Sequence, residues 1–301
     1  MQFAYYPGCS LSATGRAYQE STAATAGKLD IELTELEGWN CCGATTYMSV
    51  RELLSYAISA RNLSLAMQRG QDIVAPCSAC FTILRKTDHY LHTVPDLRKK
   101  VKTALEAAGL SYEPGSVKVR HLLEVTCANG GLDRIRDQVT RPLKGLKVAP
   151  YYGCQIVRPA VPWDNAENPM MLDRLLDALG ADVQKFPAKT RCCGASLMAS
   201  NEAAALRLCK NLLLCAQQNG AEIIVTTCPL CQMNLDAFQK KINAIYGTSF
   251  SIPVLYFTQL LGVAMGVGTS DLGLGREIVA AAPYLERFTD MPKQLTSGQE
   301  N

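Results

Sequence analysis

The sequence predicts an α/β protein made by tandem duplication, each half a parallel sheet flanked by helices. Three observations predict it. Ten of the thirteen cysteines fall into two copies of one pattern, Cys9, Cys41, Cys42, Cys77, Cys80 and Cys154, Cys192, Cys193, Cys228, Cys231. From the double cysteine to the closing Cys-x-x-Cys there are 34 intervening residues in both copies; before it there are 31 in one and 37 in the other. The local text also repeats: Tyr5-Tyr6-Pro7-Gly8-Cys9 against Tyr151-Tyr152-Gly153-Cys154, and Cys41-Cys42-Gly43-Ala44 against Cys192-Cys193-Gly194-Ala195.

Each copy reads in one order. A short apolar strand, Gln2–Tyr6 or Leu146–Tyr152, ends at a Gly-Cys turn. A helical stretch follows, Ala13–Lys28 or Pro169–Leu179, then a second strand, Ile31–Leu36 or Ala181–Phe186, leading to the Cys-Cys-Gly turn. A long helix, Ser49–Arg69 or Asn201–Asn219, precedes a third strand, Asp72–Ala75 or Glu222–Thr226, which runs into Cys-x-x-Cys. Alternating strands and helices imply a parallel sheet with helices on its faces. The cysteine groups then lie past the carboxyl ends of strands, the edge where open α/β sheets bind ligands. The region Leu91–Asn129 adds helix and a strand near Val117–Arg120, and the linker is placed at Thr140–Gly145. The expected halves are residues 1–145 and 146–301, and the polar stretch Thr289–Asn301 is expected to fray.

The bulk numbers narrow the function. With 301 residues, 48% hydrophobic and 19% charged, the chain can bury a substantial core. A formal net charge of +3 is too mild to argue for nucleic acid or an anionic membrane as partner. The densest basic run, Arg98, Lys99, Lys100 and Lys102, reads as a solvated helix face. No signal peptide is visible, and the longest apolar run, Tyr256–Gly268, is too short to span a bilayer. A cytoplasmic protein is expected, and thirteen cysteines in a reducing compartment point to metal or redox chemistry rather than disulfides.

Thiolates in this number suit an iron–sulfur cluster, because soft anionic sulfur matches iron and bridging sulfide. A Cys-x-x-Cys at a strand-to-helix junction places thiols at a helix N-terminus, where the dipole favours negative charge. Gly43 and Gly194 permit turns in which adjacent cysteines face one cavity. A four-iron cube takes four thiolates, so a fifth is either a spare or the mark of a different cluster. A zinc site or a thioredoxin-like dithiol explains a lone Cys-x-x-Cys but not the three further cysteines in each copy.

This pattern resembles the duplicated CCG cysteine-rich domain of the B subunit of heterodisulfide reductase, from Tyr5-Tyr6-Pro7-Gly8-Cys9 to Cys228-Pro229-Leu230-Cys231 and including Arg141-Pro142-Leu143. The resemblance implies two Rossmann-like domains, each holding one non-cubane [4Fe-4S] cluster on its five cysteines. The two clusters would face each other and split a disulfide bound between them. It also implies two partners, a ferredoxin-like iron–sulfur subunit (C type) and a flavoprotein subunit (A type). At Cys41-Cys42-Gly43-Ala44 the sequence departs from the Cys-Cys-Pro of the methanogen pattern, so the resemblance implies disulfide chemistry without fixing CoM-S-S-CoB as substrate. The alternative is a non-catalytic subunit passing electrons between a flavoprotein dehydrogenase and a quinone. A solvent-open cavity between complete quintets favours catalysis; a buried pair favours the conduit.

Other residues read blandly. Cys209 and Cys215 align with Ile58 and Ser64 and are expected to be buried small side chains; Cys127 receives no role. His89 and His92 lack a carboxylate framework for metal, while His121 is a candidate proton donor to a nascent thiolate. Gly266-x-Gly268 lacks the third glycine of a dinucleotide site. Tyr5, Tyr6, Tyr151 and Tyr152 are expected to pack beside the thiols and exclude water.

Overall fold

The computed structural model describes residues 1–44, 46–160 and 162–289. Among these, eight strands appear in chain order: β1 (Gln2–Tyr5), β2 (Glu32–Glu35), β3 (Ile73–Ala75), β4 (Val119–His121), β5 (Lys147–Tyr151), β6 (Asp182–Val183), β7 (Ile223–Thr226) and β8 (Val254–Tyr256). They form two four-stranded sheets of the same order, β2-β1-β3-β4 and β6-β5-β7-β8. Every pairing is parallel. The inner strands are continuous apolar runs, Ile73-Val74-Ala75 and Ile223-Ile224-Val225, each fully buried, as parallel strands covered on both faces must be.

The predicted elements recur with shorter ends. The first helix is Arg16–Ala26, preceded by a single turn at Gly8–Leu11 that carries Cys9, so this cysteine lies in a short helix rather than a plain turn. The long helices are Glu52–Arg69 and Glu202–Gln218. The expected strand Ala181–Phe186 contracts to two residues: Gln184 still donates to the Val148 carbonyl at 2.9 Å, then the chain leaves the sheet ahead of Pro187. The strand β8 has no counterpart among the predicted elements; Val254-Leu255-Tyr256 flows without a turn into the helix Phe257–Ala264. The longest apolar run of the sequence is therefore the end of a strand and a buried helix. Among the described residues no helix is long and apolar enough to cross a membrane. The basic run is exposed on the helix Pro95–Glu106, where Arg98 pairs with Glu113 and Lys102 with Glu106. Apart from Thr289, the polar C-terminal stretch lies outside the described residues.

The halves clasp each other reciprocally. The helix Arg16–Ala26 packs on the helix Phe257–Ala264 of the second half, and Met171–Ala178 packs on Leu122–Cys127 and Gly131–Gln138 of the first. At the first of these joints Tyr18 stacks on Tyr256 with ring centroids 4.3 Å apart and meets Phe257 edge-on at 6.0 Å. Ser21 and Thr258 share a buried hydrogen bond of 2.6 Å. Outside it, Arg276 grips Glu20 through two contacts of 2.8 and 2.9 Å. That ion pair is half exposed and contributes at most about 1 kcal/mol, whereas each buried aromatic contributes about 1.5–3 kcal/mol, so apolar packing carries the joint. The linker is docked too, since Thr140 and Arg141 both donate their N–H to the Ala264 carbonyl at 2.9 Å.

Gly273 brings the C-terminal strap against the helix Arg16–Ala26. Its φ is +60°, and an added Cβ would lie 2.8 Å from the Cα of Ala17. Gly273→Ala is expected to lower unfolding stability by about 1–3 kcal/mol, read as a reduced denaturant midpoint.

Candidate functional site

The sheet order delivers the cysteines in threes. Cys77 caps the helix Ser78–Thr93 directly after β3, and Cys80 sits in its first turn. Cys228 and Cys231 do the same after β7 at the helix Pro229–Ala237. The double cysteines come in from the loops beyond β2 and β6. Cys42, Cys77 and Cys80 are buried, as are Cys193, Cys228 and Cys231; Cys41, Cys154 and Cys192 are half-buried and Cys9 is exposed. Each quintet thus has three inner sulfurs and an outer pair near the surface.

The sulfurs are close. The Sγ atoms of Cys42 and Cys80 lie 3.3 Å apart, those of Cys193 and Cys231 3.5 Å apart. The Cys77 and Cys228 thiols face one another across the seam, so the quintets meet through the first cysteine of each Cys-x-x-Cys. Hydrogen bonds from Cys41 and Cys80 hold Cys42 well towards thiolate, and Cys231 and Cys77 do the same for Cys228. Cys192 is brought down to about 6 by Cys154 and by the Gly194 N–H. The backbone helps directly: Gly43 N–H donates to Cys41 Sγ at 3.4 Å and Gly194 N–H to Cys192 Sγ at 3.2 Å.

Gly8 and Gly153 show how tightly the pockets are cut. Both have positive φ, and a Cβ there would lie 3.0 Å from Cys80 Sγ and 3.1 Å from Cys231 Sγ. Tyr6 and Tyr151 are true equivalents, donating at 2.6 and 2.8 Å to the carbonyls of Asn40 and Arg191, the residues just before each double cysteine. Tyr5 and Tyr152 diverge, the first donating to Gln19 at 2.8 Å and the second to Asp173 at 2.5 Å.

The donor set of five thiols, with backbone N–H groups aimed at sulfur and helix N-termini behind them, fits a multinuclear iron–sulfur group. Among the described residues no three side chains are placed to share a single metal ion.

His121 lies in the seam, fully buried. It occupies the last position of β4, as Tyr256 does in β8, and both residues cap the helix that follows. Its Nδ1 accepts from the Leu123 N–H at 3.1 Å, which leaves the proton on Nε2, 3.4 Å from Ser78 Oγ. Burial brings its pKa down to about 4, so it is a neutral donor at ordinary pH. His89 and His92 do not converge on the thiols; they line a separate cavity of about 430 Å³ with Arg85, Lys118 and Arg120. A groove of about 740 Å³ approaches the site, reaching Ala44, Ala79 and Thr82 beside the first quintet and Gln155 beside Cys154. It thus touches neighbours of both quintets.

Two residues escape the sequence reading. Cys209 is fully buried, as expected, and has a polar contact as well: its Sγ lies 3.2 Å from the Cys193 carbonyl. Asn234 donates to that same carbonyl at 2.8 Å and to Cys209 Sγ at 3.0 Å, and leaves its Oδ1 without a partner in the core. Such an orphaned acceptor costs about 1–3 kcal/mol. The signal is present in the repeat, where Asn234 stands opposite Ile83. Cys127 is buried in its helix and Cys215 is half-buried on another.

The CCG cysteine-rich domain model matches residues 3–85 and 148–236, once per half. The chain belongs to the CCG cysteine-rich domain family. It is 34% identical, over 93% of its length and 98% of the relative's, to the 8-methylmenaquinol:fumarate reductase membrane anchor subunit of Wolinella succinogenes. It is 29% identical, over 96% of its length and 98% of the relative's, to the B subunit of a ferredoxin/F420H2-dependent CoB-CoM heterodisulfide reductase of Methanosarcina acetivorans. A protein of Archaeoglobus profundus described as like the B subunit of heterodisulfide reductase is 30% identical over 88% of this chain and 91% of the relative. A hypothetical protein from Helicobacter pylori shares the fold, with a TM-score of 0.76 at 17% identity over 93% of this chain. This chain spans 52% of that structure's length.

Gly8→Ala and Gly153→Ala should each spoil one pocket. Iron and sulfide per chain after anaerobic reconstitution are expected to fall by about half, with far-UV circular dichroism unchanged.

Proposed function

We propose that the chain is the iron–sulfur subunit of a heterodisulfide reductase-type complex and reduces a disulfide to two thiols. In this reading Cys9, Cys41, Cys42, Cys77 and Cys80 hold one [4Fe-4S] cluster, and Cys154, Cys192, Cys193, Cys228 and Cys231 hold the other, in halves divided at residue 145. Non-cubane clusters account for the fifth thiolate. The observation that carries the reading is the meeting of two complete quintets at one seam, where Cys77 and Cys228 interact and their chain neighbours Ser78 and Thr227 lie 3.3 Å apart. Such clusters would supply one electron each, and a disulfide takes up two electrons and two protons, the protons from solvent, to become two thiols.

The chain's own residues supply the rest. The groove at Ala44, Ala79 and Gln155 gives a small molecule access beside both quintets. The stacked Tyr18 and Tyr256 keep water from the seam. His121 keeps its hydrogen on Nε2 within that dry region and, as a neutral imidazole, is suited to donating a hydrogen bond to a new thiolate rather than a proton. With no nicotinamide or flavin fingerprint in the sequence, electrons would come through a ferredoxin-like subunit and, beyond it, a flavoprotein.

A second reading is favoured by one relative. The membrane anchor subunit of a methylmenaquinol:fumarate reductase is 34% identical, which suits a conduit between a quinone and a flavoprotein. Anaerobically purified protein, reduced and then mixed with candidate disulfides or with a menaquinone analogue, separates the two. Oxidation by disulfide with release of thiols supports the first; oxidation by the quinone alone overturns it.

Intact protein is expected to carry about eight irons with matching sulfide. Cys42→Ser or Cys193→Ser should each remove one cluster's spectroscopic signal and abolish turnover. Full activity after either change is incompatible with two one-electron centres.

A further inference from the structure

The halves match so closely that their differences can be located residue by residue. Ile58 and Ile83 stand fifteen residues past Gly43 and three past Cys80; Cys209 and Asn234 occupy the same two places after Gly194 and Cys231. Ile58 lies against its turn, its Cδ1 3.0 Å from where a Cβ on Gly43 would stand. In the second half the Asn234 amide uses both hydrogens, one on the Cys193 carbonyl at 2.8 Å and one on Cys209 Sγ at 3.0 Å. The Cys209 thiol adds a second donation to Cys193 O at 3.2 Å. A flipped amide would set oxygen against the Cys193 carbonyl, so the orientation is fixed.

We infer that Asn234 and Cys209 form a positioning pair that raises the reduction potential of the cluster in the second quintet above that of the first. The inference rests on the proposal that each quintet holds a cluster. Reduction adds negative charge, and fixed positive dipole ends nearby favour the reduced form. Both donors are fully buried, where dipoles are poorly screened. They converge on the peptide of Cys193, an inner sulfur of its quintet. In the first half the buried donors at the matching turn serve the flanking carbonyls instead, Ser55 Oγ that of Gly43 at 2.9 Å and Asn62 Nδ2 that of Asn40 at 3.0 Å. Its other brace, Asn40 Nδ2 to the Cys41 carbonyl at 2.8 Å, is on the half-buried outer cysteine. The unpartnered Asn234 Oδ1 is a standing cost that the isoleucine of the other half avoids, so the amide is held there for what its N–H groups do.

The test is a potentiometric titration of the reconstituted chain, followed by electron paramagnetic resonance under anoxia, with Cys193→Ser used to assign the second quintet's signal. The unmodified protein is expected to show two steps, the second quintet's at the higher potential. The double variant Asn234→Ile, Cys209→Ile, which installs the residues of the first half, should shift that step downwards and leave the other in place at unchanged iron content. Cys209→Ser keeps a donor and should retain the original value. Coincident steps in the unmodified protein, or an unmoved second step in the double variant, overturn the inference. Should the double variant load only one quintet, Cys209→Ala, which removes a single donor, carries the same expectation with a smaller shift. If the unmodified protein yields iron for one cluster only, the two-cluster reading itself fails.

Discussion

The molecule depends on the approach of two helix N-termini, each capped by the first cysteine of a Cys-x-x-Cys, until Cys77 and Cys228 face one another. Bringing polar groups together in a dry seam is costly unless they are partnered. Ser78 and Thr227 answer each other at 3.3 Å, Tyr18 reaches the Thr227 carbonyl at 3.4 Å, and His121 closes the set from β4. The reciprocal packing of helices from opposite halves then fixes the separation of the quintets. A sheet order that put β3 or β7 at an edge would take the two Cys-x-x-Cys groups apart; with each at an inner position, helices cover both faces and the carboxyl ends converge.

Much of this was legible because duplication prints itself in spacing. The order of strands, the placement of the cysteines past strand ends and the equivalence of the halves follow from the repeated intervals and from Gly-Cys and Cys-Cys-Gly. What escaped lacks a local signal. The strand β8 runs from Val254 into a helix with no Gly, Pro or Asn between, so its last residue, Tyr256, reads as the start of the apolar run that follows. The match of His121 to Tyr256 is invisible in the text because the residues are chemically unlike; only their shared place at the end of an edge strand shows it. Tyr5 and Tyr152 looked paired with their neighbours, yet the offset of the repeat pairs Tyr6 with Tyr151 and sends the others to different partners.

Symmetry in the backbone coexists with divergence in the polar braces. The first double cysteine is supported by Asn40, Ser55 and Asn62, the second by Asn234 and Cys209. The positions exchange character, since Leu206 and Leu213 fill the places of Ser55 and Asn62. Each turn needs its carbonyls satisfied, and while both copies use the long helix, only the second adds a donor from the helix that follows Cys-x-x-Cys.

The strap around Gly273 and Arg276 lies beyond residue 236, where the second cysteine-rich match ends, and it binds the half that comes first in the chain. Together with the helix Phe257–Ala264 it covers Tyr18, Ser21 and Glu20. A gene cut at the linker would therefore yield one fragment with a bare aromatic flank and another with a tail clasping nothing. In the fused chain the joint is internal, so the flank is covered at any protein concentration and needs no second molecule.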